Sequence, residues 1–301
     1  MGIVEEIARL KKEKNAVILA HYYVDEDVQE IADYIGDSFY LAKVAKQVSE
    51  DMIIFAGVEF MGESAKILNP EKRVFMPDAN ADCPMAHMAT EEEILKMKAE
   101  HEDLAVVCYI NSTANLKTLS DVCVTSSNAV KIVKNLPNKN IFFIPDRNLG
   151  RFVAAQVPEK NVYLNSGCCP RHVAITEEKV LEAKKKHPLA KLAAHPECTE
   201  EVLKYADYIG STSGIIDYVV DTDSEEFLIA TVDGVFNEIR KKAAGKKLYT
   251  IMDEQICVNM KKVTLEKILD CLENEVNEVF VDETVAAKSM IPLNRMLELA
   301  K

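Results

Sequence analysis

The chain repeats itself three times, and that repeat limits the architecture before any residue is considered for chemistry. The pentapeptide ADYIG stands at 32–36 and again at 206–210. A middle copy falls between them in register. Asp33, Asp121 and Asp207 are spaced by 88 and 86 residues, as are His21, Tyr109 and His195. Ser38, Ser126 and Thr212 keep the same steps, and so do Val74, Val162 and Leu248. A second register, 86 and then 88, relates Cys83, Cys169 and Cys257, and also Thr90, Thr176 and Thr264. Each of these threonines opens a helical pattern: TEEEILKMKAE, TEEKVLEAKKK and TLEKILDCLEN. The hydroxyl caps free N–H groups there, and early acids suit the positive end of a helix.

Within a copy the expected order is strand, helix, short strand, helix, strand, helix, strand, loop, helix. AVILA, MIIFAG and RVFMP read as short buried strands. DVQEIADYI and LAKVAKQV read as helices, the second with Leu41, Val44, Ala45 and Val48 on one face. Continuous apolar strands alternating with helices predict parallel sheets covered on both faces. The expected fold is α/β, with three pseudo-equivalent Rossmann-like units around a pseudo-threefold axis. The units span 1–102, 103–188 and 189–275, with 276–301 packing back on the first. VEEIARLKKEK at the N-terminus holds the place that 91–101 and 177–187 hold for the later copies, so the units are expected to close into a ring.

Hydrophobic residues make up 48% of the chain, enough for real cores. With 36 basic and 49 acidic residues the formal net charge is −13, which disfavours nucleic acid as a partner. The charged N-terminal segment has no apolar signal core, and no apolar run is long enough to cross a bilayer. A cytoplasmic location without a membrane partner is expected.

Eight cysteines are present, and disulfides are not expected in a cytosolic chain of this size. Cys108, Cys123 and Cys271 read as small buried hydrophobes. One cysteine per copy falls in register, just before the capped helix, and Cys168 is the spare neighbour of Cys169. Three thiolates meeting on a pseudo-threefold axis can hold zinc or an iron–sulfur cluster. The chain lacks CxxC pairs, so a central cluster fits better than a local structural staple. Clusters normally take four cysteines, so three leave one iron open as a Lewis acid.

Ligands of parallel α/β sheets gather at the carboxyl ends of strands. Polar residues stand there in each copy: His21-Tyr22-Tyr23, Tyr109-Ile110-Asn111-Ser112 and His195-Pro196-Glu197. Ser38, Ser126 and Thr212 follow the next short strand, and Ser126 precedes a helix whose free N–H groups would favour carboxylate or phosphate. A strand-end histidine is more often simply hydrogen-bonded into the structure, and a serine before a helix is usually only a cap. Convergence of three copies on one axis is what favours a site for a small polyanion.

The residues also carry a family resemblance. The stretches are LAHYYVDEDVQEIADYIGDS (19–38), FMGESAKILNP (60–70), ADCPMAHM (81–88), YINSTANLKTLSDV (109–122), TSSNAVKIV (125–133), PDRNLGRFV (145–153), AAHPECTEEVLKYADYIGSTSG (193–214) and CVNMKKVTLEKIL (257–269). Together they resemble the quinolinate synthase family of NAD biosynthesis over nearly the whole chain. The resemblance implies a non-redox condensation of iminoaspartate with dihydroxyacetone phosphate to quinolinate, releasing phosphate and water. It implies a [4Fe-4S] cluster with three cysteine ligands, matched here by Cys83, Cys169 and Cys257. By motif, Tyr23, Tyr109, His195 and Glu197 are the implied catalytic residues. His21, Ser38, Asn111, Ser126, His172, Ser211 and Thr212 are the implied substrate contacts. With unstable iminoaspartate as substrate, the resemblance also implies a transient contact with the enzyme that produces it. The family's usual Thr-Glu-x-Gly is replaced here by Thr231-Val232-Asp233-Gly234. The rivals are a cluster-binding sensor without catalysis and another cluster-dependent dehydratase.

Overall fold

The repeat becomes three four-stranded sheets. The computed structural model describes residues 2–301. The first unit runs α1 (Ile3–Glu13), β1 (Ala16–His21), α2 (Glu26–Ile31), β2 (Tyr34–Gly36), α3 (Ser38–Ala45), β3 (Met52–Ala56), α4 (Glu59–Leu68) and β4 (Arg73–Phe75). Helix α5 (Glu91–Glu100) leads into the second unit, which runs β5 (Leu104–Tyr109), α6 (Ala114–Thr118), β6 (Val122–Val124), α7 (Ala129–Asn135), β7 (Asn140–Ile144), α8 (Arg147–Gln156) and β8 (Asn161–Leu164). After α9 (Pro170–Val173), α10 (Glu177–Lys186) leads into the third, which has β9 (Lys191–Ala194), α11 (Glu200–Leu203), β10 (Tyr208–Ile209), α12 (Thr212–Asp221), β11 (Glu226–Ala230), α13 (Val235–Lys242) and β12 (Lys247–Thr250). Two helices, α14 (Leu265–Asn274) and α15 (Glu283–Leu299), close the chain.

The strand orders are β2-β1-β3-β4, β6-β5-β7-β8 and β10-β9-β11-β12, all parallel. Every residue of β1 and β3 is buried, as expected for strands covered on both faces. The chain leaves β1, β5 and β9 to one side and later returns on the other, which opens a crevice at their carboxyl ends.

The repeated aspartates explain how the short second strand is fixed. The helix expected over DVQEIADYI stops at Ile31. Asp33 takes the next stretch into β2: its N–H donates to the Ile18 carbonyl at 2.9 Å, and its carboxylate accepts from the Ile18 N–H at 2.8 Å. Asp121 makes the same pair with Val106, and Asp207 with Leu192. Each aspartate thus extends the ladder by one reciprocal rung and satisfies an N–H that the sheet would otherwise orphan. Asp121→Ala strands the Val106 N–H, and the expected cost is about 1–3 kcal/mol of stability, read from urea unfolding.

The threonines cap as expected: Thr90, Thr176 and Thr264 accept from the N–H groups of Glu93, Lys179 and Lys267. Each capped helix covers the sheet that follows it around the ring. Helix α5 packs on β5. Val180 and Ala183 of α10 share a core with Leu192 and Leu228. Helix α14 lies against α1 and β3, bringing the end of the third copy back to the first sheet. The tail does more than return to the first unit. Residues 277–279 bond along β4, with the Val279 N–H on the Val74 carbonyl, and α15 then crosses to α6, β6 and α7 while touching α4. Ser289 donates to the Ala114 carbonyl and Arg295 to the Asp121 carbonyl, so the tail joins two units.

One helix start differs from expectation. Helix α7 begins at Ala129, with Asn128 in the cap position, so Ser126 lies in the preceding turn. Asn128 Oδ1 accepts from the Thr125 N–H at 2.8 Å, which holds that turn closed.

Candidate active site

The three crevices open into one cleft with about 970 Å³ of space, part of it continuous with solvent. His21 and Tyr109 end β1 and β5, and His195 follows β9 directly. The residue two places on also faces the cleft in each copy: Tyr23, Asn111 and Glu197. The repeat therefore delivers six side chains from three equivalent corners. Two of the corners share a backbone device. The Tyr23 N–H donates to His21 Nδ1 at 3.2 Å, and the Glu197 N–H donates to His195 Nδ1 at 3.3 Å. Nδ1 is the acceptor in both rings, so a neutral ring carries its proton on Nε2. Burial pushes both imidazoles down, to about 4 for His21 and about 3 for His195, against the opposing pull of Glu197. Both are neutral donors near pH 7.

Glu197 is the buried charge at the centre. Burial alone would raise its pKa, but His172 and His195 together with hydrogen bonds from His172 and Tyr109 bring it down to about 2. His172 Nδ1 lies 2.7 Å from Glu197 Oε2 and 3.1 Å from Cys169 Sγ. A proton on Nδ1 is therefore contested between carboxylate and sulfur. On the other side of the ring, His172 Nε2 meets the Thr231 hydroxyl at 2.9 Å. Thr231 also meets the Tyr23 hydroxyl at 2.7 Å, and Tyr23 meets Thr212 at 3.0 Å. The result is an unbroken polar chain of Glu197, His172, Thr231, Tyr23 and Thr212 across all three copies. Burial, followed by the Glu197 charge, raises the phenols of Tyr23 and Tyr109, so both are protonated donors.

Close backbone approach sets Tyr23 in place. A Cβ on Gly234 would lie 2.3 Å from the Tyr22 carbonyl oxygen and 2.8 Å from the Tyr23 Cα, so only glycine fits. Gln29 binds the carbonyls of both Tyr22 and Gly234 across the same seam.

The cysteines come from three equivalent loops. Cys83 precedes a 3₁₀ turn at Pro84–His87, Cys169 precedes α9, and Cys257 lies three residues before a 3₁₀ turn at Met260–Lys262. In each loop an N–H bonds back to the cysteine carbonyl: Ala86, Val173 and Lys261. All three cysteines line the same cleft. Burial, then the neighbouring Cys257, pushes the Cys83 thiol up to about 12, while the amides of Met85 and Ala86 oppose this. Burial, Glu197 and Cys83 push the Cys169 thiol up, opposed by the amides of His172 and Arg171. Burial makes lone thiolates at Cys83 and Cys169 costly, and a cationic metal group held there would offset that cost.

Ser38, Ser126 and Thr212 line the cleft, whereas Ser211 caps α12 by accepting from the Gly214 N–H. Cys168 is absent from the lining, and its N–H faces the Met88 sulfur at 3.4 Å. Cys108, Cys123 and Cys271 are fully buried, in keeping with their reading as small hydrophobes. Sequence reasoning gave no role to Thr231 or Asp146. Asp146 is buried, caps α8 through the Leu149 N–H, and accepts from the Cys169 N–H at 3.0 Å. Burial, then Glu197, holds its carboxyl up at about 8. An aspartate directly after the buried strand NIFFIP was the available signal. Among the described residues two sets bring potential ligand atoms within 4.8 Å of one another: Cys169, His172 and Glu197 in the cleft, and the more exposed Glu59, Asp82 and His87.

Comparison with known proteins agrees over the same span. The family model described as Quinolinate synthetase A protein matches residues 5–298. The quinolinate synthase of Fusobacterium nucleatum is 56% identical over 296 residues, covering 98% of this chain and 99% of that protein. The quinolinate synthase of Caldicellulosiruptor saccharolyticus is 49% identical, covering 99% and 98%. That of Clostridioides difficile is 46% identical, covering 98% and 97%. With a match from residue 5 to 298 and near-complete coverage of both partners, the chain belongs to the quinolinate synthetase A family.

Proposed function

We propose that this chain condenses iminoaspartate with dihydroxyacetone phosphate to quinolinate, releasing phosphate and two waters. The observation that carries this is one cleft receiving an acid–base set and a cysteine from each of three copies. Family membership implies an iron–sulfur cofactor, and the partly buried thiols of Cys83, Cys169 and Cys257 fit one. We assign these three as ligands of a [4Fe-4S] cluster. Such a group, when bound, supplies one open iron as a Lewis acid for a reactant oxygen.

The protein's own groups account for the proton movements. Imine formation, isomerisation and dehydration each need a donor and an acceptor within hydrogen-bond reach. Glu197 is the ionised acceptor, and Tyr109 and Tyr23 are protonated donors. His172 and Thr231 connect Glu197 to Tyr23, so a proton taken at one corner has a hydrogen-bonded route to another. His21 and His195 offer neutral N–H donors to carboxylate or carbonyl oxygens. Asn111 Oδ1 is buried without a partner and faces the cleft, so it is free for a substrate N–H or O–H. Ser38, Ser126 and Thr212 are neutral donors for carboxylates.

All eight cysteines are free, and no described helix is long and apolar enough to cross a membrane. Free thiols and an oxygen-sensitive cofactor suit the reducing cytoplasm, and an unstable imine suits direct handover from the enzyme that makes it. The test is anaerobic turnover of both substrates by reconstituted protein, with iron and sulfide counted on the same sample. Quinolinate formation with about four irons per chain is expected. A fully loaded protein that makes no quinolinate favours a sensor instead.

A further inference from the structure

Three side chains with full formal charge line the cleft: Asp37, Glu197 and Arg171. Two of them are committed. Asp37 caps α3 by accepting from the Tyr40 N–H at 2.9 Å, and it accepts from the Ser213 hydroxyl at 2.6 Å. Glu197 is held by His172. Arg171 is partly buried, yet its guanidinium has no carboxylate, carbonyl or aromatic partner among the described residues. It lies where the main cleft meets a smaller pocket walled by Thr231, Val232 and Gln255. An uncommitted guanidinium on the wall of the cleft that holds the reacting groups is free to take an anion there.

We infer that Arg171 is the phosphate-recognition residue for the triose phosphate. The inference rests on the proposed function and assigns one substrate group within it. The hydroxyls of Ser38, Ser126 and Thr212 are neutral donors adequate for carboxylates. The phosphate monoester carries the larger charge and matches the planar donor fork of arginine. The backbone supports the assignment. Cys169 and His172 fix both ends of the tetrapeptide, and the Val173 N–H on the Cys169 carbonyl closes its turn at 3.0 Å. The side chain between them therefore springs from a rigid base at the edge of the cleft. Arg171 acts on binding and on the departing phosphate's charge, and takes no proton.

The experiment measures KM for dihydroxyacetone phosphate and for iminoaspartate in wild type, Arg171→Lys and Arg171→Gln, each with its iron and sulfide counted. Inorganic phosphate serves as a competing probe, and its binding is also followed by calorimetry, which does not depend on turnover. A rise of about 10- to 100-fold in the triose phosphate KM is expected for Arg171→Gln, as for loss of a charged hydrogen bond. The lysine variant should fall between, and phosphate binding should weaken in parallel. Unchanged triose phosphate KM and phosphate binding overturn the inference, and so does a rise confined to iminoaspartate. A wild-type protein that makes no quinolinate overturns the function itself, which is a separate outcome.

Discussion

Alanine at Cys83, Cys169 or Cys257 is expected to leave a colourless protein with little bound iron and no measurable turnover. Each of these thiols comes from the loop after a different sheet, so one copy cannot supply the ligand of another. Cys168 is the apparent substitute for Cys169, but it is not among the residues lining the cleft and its N–H is held at the Met88 sulfur. Losing a group that merely supports a metal ligand costs roughly 10–100-fold in affinity or activity, and losing a ligand should cost more. Cys168→Ala should retain full iron, sulfide and activity. Iron and sulfide analysis under argon, with the visible spectrum, checks all four variants. A Cys169→Ala protein with a full cluster would show that its neighbour is the ligand.

The second large effect is expected at Glu197. Glu197→Gln keeps the volume but removes the acceptor that His172 and Tyr109 converge on. Loss of a positioned acid–base group costs roughly 10²–10⁴-fold in rate. The fall should appear in kcat, with iron content and the visible spectrum unchanged, because Glu197 sits behind His172 and is not one of the three thiols. Undiminished turnover would remove Glu197 from the proton route. The same variant should disturb the ring of His172, whose Nδ1 would then face an amide and the Cys169 sulfur.

The repeat was legible because two kinds of residue cannot drift in register. Asp33, Asp121 and Asp207 each close a reciprocal rung with the first strand, and a shift by one residue would break two hydrogen bonds. Thr90, Thr176 and Thr264 each cap a helix, which fixes the cysteine loop before it. His21, Tyr109 and His195 were legible because a strand end is a topological position, set by the same rungs. Thr231 was not, because it follows a third strand that has no polar counterpart in the register, where the first copy has Gly57. Its importance arises only when Tyr23, from another copy, comes across the seam. The start of α7 was misjudged because Ser-Ser-Asn offers three plausible caps, and Asn128 won by closing the turn onto Thr125. The reach of α15 into the second unit could not be read from periodicity, which says that a helix has an apolar face and not which neighbour receives it.

Gly234 bears on how such a chain can be divided. Its bare α-carbon is pressed on the backbone of Tyr22 and Tyr23, more than two hundred positions earlier. Even a cut that falls between two sheets would leave each fragment with only a portion of the reaction centre. The scaffold repeats as three like pieces, but the reaction centre belongs to no one of them and is indivisible.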